Sequence, residues 1–202
     1  MNIVAVDCCL KITGAAVMSD GVIEYEAGEL GRRQSSELPH MVERLMQKRN
    51  LSWRDVDYVA LTNGPGYFTG IRVGASYASG LAYACEAEII PVSSLDVLVH
   101  GLTGRKILTV IYAGHGFVYA SCKNYLAPGE YSHEQIYSWL EKNTGAEIIS
   151  DDPERTALNL DIQQVRPSVK ALCEIAAGKL TSAVSPMNLQ ISYYRAPQGV
   201  NL

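Results

Sequence analysis

Asp7 closes the apolar run Asn2-Ile3-Val4-Ala5-Val6, and the carboxyl end of a sheet strand is where α/β proteins place groups that meet ligands. A carboxylate there can hold a magnesium ion beside phosphates, or it can simply start a turn; the sequence leaves both readings open. The residues that follow weaken the phosphate case. Cys8-Cys9-Leu10 brings weak donors and bulk where a close backbone approach favours Gly, Ser or Thr. A nucleophilic Cys8 would need a neighbouring base or a positive helix end to lower its pKa, and the sequence assigns neither. The second candidate is Asn63-Gly64-Pro65-Gly66. Gly64 and Gly66 admit positive φ and Pro65 stiffens the turn, so N–H groups can gather at the start of the next helix and attract an anion. The loop has neither the lysine of a P-loop nor a GxGxxG pattern. His40, His100, His115 and His133 are scattered, with no HxxxH or HExxH spacing, which predicts surface or capping roles. Asp151, Asp152, Glu154 and Arg155 surround Pro153 and read as a solvated loop.

These residues need elements to position them. Residues 2–6, 12–18 and 22–26, with the turn Ser19-Asp20-Gly21, predict a three-strand antiparallel meander. Leu38, Met41, Val42, Leu45 and Met46 recur at helical spacing from Glu37 to about Asn50. Ser52 or Asp55 caps a short turn, residues 58–62 form a buried strand running into the glycine loop, and a helix follows. Residues 88–91 predict a strand, and Ser93 or Ser94 with Asp96 starts a helix to about His100. Gly101 and Gly104 mark a lobe boundary. A strand over 106–112, a turn at 114–116 and a strand over 117–123 then repeat the opening hairpin in outline. A helix over 132–142, a strand over 147–149 and a helix over 168–178 complete an α/β chain of two lobes. The tail from Pro186 has no strong period and is expected to lie over other structure.

The helix after the glycine loop has one more feature. Gly70, Gly74, Ala78 and Ala82 fall four residues apart, with Ala75, Ser76 and Ser79 beside them, leaving one face almost free of bulk. A helix-interior Gly costs up to ~1 kcal/mol relative to Ala, so close packing must offset it. Either the chain's own sheet or a helix of a second chain can supply that packing, and the amphipathic helix from Glu37 could complete the same surface.

Composition narrows the classes. The 202 residues are 48% apolar, enough for a real core, and carry a net charge of −4 with no Lys/Arg block. That excludes an independent electrostatic grip on nucleic acid. Five cysteines lack CxxC spacing and read as reduced, packed residues. No apolar run approaches the ~18 residues of a membrane span, and Met1 leads directly into a strand, so a cytoplasmic location is expected.

The strings IVAVD, LPHMVERL, NGPGYFTGIRVGASYASGLA and IIPVSSLDVL, with weaker echoes in IYAGHGFVYAS and NLQISYYRAP, resemble the bacterial TsaB (YeaZ) family. The GPGxFTGxRxG string is the most specific of them. The resemblance implies a two-lobed actin-like ATPase (ribonuclease H-like) fold of mixed sheets with flanking helices. It places a first lobe with the glycine loop and docking helices at 1–100, and a smaller lobe and tail at 101–202. It implies a non-catalytic partner role in threonylcarbamoylation of adenosine 37 in tRNAs reading ANN codons, through binding and stabilising a catalytic paralogue, TsaD. A TsaE-like ATPase and a second copy of the chain are further implied partners, with tRNA met only through the complex.

Departures from the family pattern bear on catalysis. Val92-Ser93-Ser94-Leu95-Asp96-Val97-Leu98 aligns with the paralogue's V-N-H-x-E-x-H segment, putting Ser94 and Leu98 at the metal-ligand positions; leucine cannot bind a metal. Asp7-Cys8-Cys9 replaces the family's usual Asp-Thr-Ser or Asp-Thr-Ala, and Tyr112-Ala113-Gly114-His115 its usual Asp-Ala-Arg, removing polar groups from the interlobe cleft. The expectation is therefore no catalytic residue, no metal and no cofactor, with Asp7, Gly64 and Gly66 the remaining nucleotide candidates. The expected partner interface is Leu38, Met41, Leu45, Gly70, Arg72, Gly74, Ala75, Ala78 and Ala82. Two alternatives stand beside it: an ATP-dependent kinase or metallopeptidase of the same superfold, and a homodimeric binding protein unrelated to tRNA.

Overall fold

The structure, a computed structural model, describes residues 1–102 and 106–194; Gly104 and the end of the tail, 195–202, lie outside the described residues. Two five-stranded sheets form the frame. The first contains β1 (Ile3–Asp7), β2 (Thr13–Ser19), β3 (Val22–Gly28), β4 (Tyr58–Thr62) and β5 (Glu88–Val92), in the order β3-β2-β1-β4-β5. β1, β2 and β3 are antiparallel, while β4 and β5 run parallel to β1. The second contains β6 (Ile107–Gly114), β7 (Phe117–Cys122), β8 (Leu126–Ser132), β9 (Glu147–Ser150) and β10 (Gln163–Gln164), in the order β10-β9-β6-β7-β8. Its pairing repeats the first: an antiparallel meander, then parallel strands. The expected repeat of the opening hairpin is thus a repeat of the whole sheet.

Among the described residues six α-helices flank the sheets: α1 (Gln34–Lys48), α2 (Phe68–Cys85), α3 (Ser94–Val99), α4 (His133–Lys142), α5 (Pro153–Thr156) and α6 (Val169–Ala177). The period of two along β1 shows why the first sheet is buried on both sides. Val4 and Val6 face α1 and α2 with Leu38, Met41, Leu45 and Ala78, whereas Ile3 and Ala5 face α6 with Val169, Leu172 and Cys173. The second sheet packs Leu108, Val110, Val118 and Ala120 against Ile136 of α4. Its other face meets the first lobe, where Ile107, Ile111 and Ile149 pack with Leu10, Ile71, Leu95 and Leu98.

β8, β10 and α5 were not foreseen. β8 reads LAPGEYS, and its Pro and Gly argue against a strand; as the sheet edge it needs few of the ladder bonds that Pro128 cannot make. α1 begins three residues before Glu37, after a 3-10 turn over Gly31–Arg33. The cap expected at Ser52–Asp55 is present, and a second capping box, not read from the sequence, starts α4 at Ser132–Gln135. The two sheets separate in sequence near residue 100, yet α6 packs on the first sheet, and Val184 and Ser192 beyond it bond to that lobe. Val184 and Ile89 exchange backbone bonds of 2.8 Å, and Ser192 N–H donates to the Asn63 carbonyl at 2.9 Å. Among the described residues no helix is long and apolar enough to cross a membrane.

Candidate functional site

β1 delivers Asp7 to the cleft between the sheets, but the carboxylate is already engaged. It is 2% exposed, and Oδ1 accepts from Thr62 Oγ1 at 2.6 Å and from Cys9 N–H at 3.0 Å. Burial pushes its pKa up to about 6, the two hydrogen bonds pull it down, and repulsion from Asp151 adds to the rise. Burial likewise raises Cys8, and raises Cys9 to about 12. Cys9 donates Sγ–H to the Thr62 carbonyl at 3.0 Å. Neither thiol supplies a thiolate near neutral pH, so both are packing residues.

The glycine loop is shaped by the chain itself. Gly64 adopts φ +108°, a conformation L side chains rarely adopt, and its carbonyl accepts from Ser94 N–H at 2.9 Å. Gly66 was expected to need the same freedom but has no positive φ; it needs space. A Cβ on Gly66 would collide with the Cys9 carbonyl, and one on Gly70 with the Cys8 carbonyl. Tyr67 N–H, at the start of α2, donates to the Cys9 carbonyl at 2.7 Å. Peptide from the β1–β2 connection therefore fills the volume in which a phosphate would approach these amides. The residues present do not fit the nucleotide and magnesium that the actin-like fold implies.

The small-residue face of α2 is spent inside the chain. Gly70, Gly74, Ala75, Ala78 and Ala82 are buried, a Cβ on Gly74 would lie 3.5 Å from Cys8 Cβ, and Leu38, Met41 and Leu45 of α1 are at most 5% exposed. The expected docking face is thereby corrected: these residues close the core against β1 and β4, and of the nine only Arg72 projects outward. The opposite sides of the same helices enclose an open groove of about 590 Å³, floored by Leu38 and walled by Pro39, Phe68, Arg72, Val73 and Tyr77. The Arg72 guanidinium lies 3.7 Å above the Phe68 ring. From the tail, Tyr193 packs on Phe68 with centroids 6.0 Å apart and receives a 3.4 Å hydrogen bond from Arg72 Nε. Phe68, Val73 and Tyr77 were not singled out from sequence, although they occupy the side of α2 complementary to the glycine stripe.

At the cleft mouth the acidic segment after β9 proves to be more than a solvated loop. Asp151 is 4% exposed and accepts from Lys11 N–H at 3.3 Å; burial, chiefly, raises its pKa. Arg155 sits between Tyr67 and Tyr112, 4.5 and 4.8 Å from their ring centroids. Ser94 and Leu98 are 0% and 1% exposed within the core. Among the described residues no group of three His, Cys, Asp or Glu side chains is placed to hold a metal. The histidines stay apart: His100 meets Glu174 at 3.0 Å, and His40 lies 3.9 Å from Glu43.

Comparison with known proteins agrees with this architecture. The family model described as "TsaD: tRNA N6-adenosine threonylcarbamoyltransferase" matches residues 28–144. The tRNA threonylcarbamoyladenosine biosynthesis protein TsaB of Escherichia coli (strain K12) is 28% identical over 150 residues, 72% of this chain and 62% of that protein. The Haemophilus influenzae protein of the same name is 32% identical over 100 residues, 48% of this chain and 42% of that protein. The chain thus spans less than two thirds of the length of these two relatives. A Pseudomonas aeruginosa structure described as similar to peptidase YEAZ superposes with a TM-score of 0.81 at 21% identity, covering 96% of this chain and 99% of that one, which establishes the shared fold. The chain belongs to the tRNA N6-adenosine threonylcarbamoyltransferase family, in its TsaB (YeaZ) group, with the actin-like fold of two mixed sheets.

Proposed function

We propose that this protein is a non-catalytic subunit of the machinery that threonylcarbamoylates adenosine 37 of tRNAs reading ANN codons, and that it docks a TsaD-like catalytic paralogue through the groove between α1 and α2. The observation that carries the reading is the contrast between the two sites. The cleft where the fold would hold a ligand is filled by the Cys8-Cys9 peptide, while the α1–α2 groove is open and rimmed by Phe68, Arg72 and Tyr193. Exposed aromatic and arginine side chains are the residue types that anchor protein interfaces. With a net charge of −4, the chain leaves the grip on tRNA to its partner. Selective binding to the active arrangement of TsaD would shift that subunit's population.

Reconstitution tests this. The chain is mixed with TsaD-like and TsaE-like proteins, and modified adenosine is measured with and without it. Ser76→Arg places a long cation on the groove wall at an exposed site, so it should weaken TsaD binding at least tenfold and reduce product without lowering Tm. Equal product in the absence of the chain would overturn the role; full binding by Ser76→Arg would overturn the groove. If size-exclusion shows that the groove instead pairs two copies, and Ser76→Arg yields monomers that still support modification, the homodimer is its occupant.

A further inference from the structure

We propose that Arg155 is an interlobe latch that holds the cleft closed. The two rings that flank it belong to different lobes: Tyr67 stands between β4 and α2, and Tyr112 is on β6. The guanidinium lies 4.5 Å from one centroid and 4.8 Å from the other, so a single planar cation bridges the sheets across the mouth. Arginine suits the position because its flat, delocalised head stacks on an aromatic face at each side.

The arm that carries the latch is fixed. α5 starts with Pro153, Thr156 is buried and donates Oγ1–H to the Pro153 carbonyl at 2.6 Å, and Leu158 is packed in the second-lobe core. Beneath the latch, Lys11 N–H from the first lobe reaches Asp151 of the second at 3.3 Å. Asp7 and Asp151 face each other across the same cleft and repel when both are charged, which favours opening. The cation–π bridge opposes that repulsion at the mouth, while the apolar contact of Leu10 and Ile71 with Ile107 and Ile111 holds the lobes deeper in.

The amide of Lys11 reports on closure, because its acceptor lies in the opposite lobe. Hydrogen exchange of the full chain, followed residue by residue, should show Lys11 exchanging at least about tenfold faster in Arg155→Ala and in Tyr112→Ala. The amides of β2 and of α4, each inside one lobe, should keep their wild-type rates, and Arg155→Lys, which retains charge without the planar head, should fall between. Wild-type exchange at Lys11 in both alanine variants would overturn the latch and leave closure to the apolar contact. Uniformly faster exchange throughout the chain would overturn it as well, since it would mark Arg155 as a general stabiliser. Neither readout involves a partner protein, so the outcome is independent of the docking proposal.

Discussion

Asp7 illustrates how one residue type can serve two ends. Its carboxylate is raised to about 6 chiefly by burial, above the value near 3.8 it has when unfolded. The folded state therefore binds the proton more tightly, and the contribution to stability is fully present below about pH 4 and lost as pH rises through about 6. The difference is worth roughly 3 kcal/mol at about 1.4 kcal/mol per pH unit. Asp7→Asn keeps an oxygen for Thr62 and Cys9 while removing the charge, so Tm at pH 8 should rise by roughly 6–12 °C. Its decline between pH 4 and 7 should flatten, leaving a shallower slope from Asp151, which is raised in the same direction. Thermal melts across that range decide the matter: a variant whose Tm falls in parallel with wild type would show that Asp7 is not the titrating group. The sequence supplied Asp7 as a strand-end acid but not its partners, because Thr62 and Asp151 reach it only through β-strand pairing and lobe closure.

At the scale of elements, α2 shows how far periodicity can be read. The small-residue stripe and its need for close packing follow from spacing alone, but spacing does not say what packs there. The structure answers with Cys8 and its carbonyl. Gly70→Ala should accordingly destabilise the fold by roughly 1–3 kcal/mol, the usual range for forcing a methyl into a packed site, measured by urea denaturation at constant m-value. A change under about 0.5 kcal/mol would mean that the β1–β2 connection yields easily. Gly74→Arg would disrupt the core before it tested any interface, which is why the exposed Ser76 is the informative position. The Pro and Gly in β8 hid that strand for the converse reason: local propensity argued against it, and its place at a sheet edge made the cost small.

At the scale of the whole molecule, the two sheets repeat one topology, and the lobes meet through the apolar cluster around Leu10, Ile71, Leu95 and Ile111, the Lys11–Asp151 hydrogen bond and the Arg155 bridge. A cleft built this way should not bind nucleotide: calorimetry of the isolated chain with ATP and magnesium should give no micromolar site, and a saturable exotherm with a dissociation constant below about 10 μM would contradict the closed cleft. The sequence by itself determined the strand and helix order of the first hundred residues and the family, since these depend on local period, turn chemistry and residue identity. Only the tertiary structure decided which face of α2 is spent on the core, what fills the glycine loop, and that Arg155, 43 residues from Tyr112 in the chain, lies against it. Those outcomes rest on contacts between distant segments, which are set by sheet register and lobe closure and leave no periodic trace along the chain.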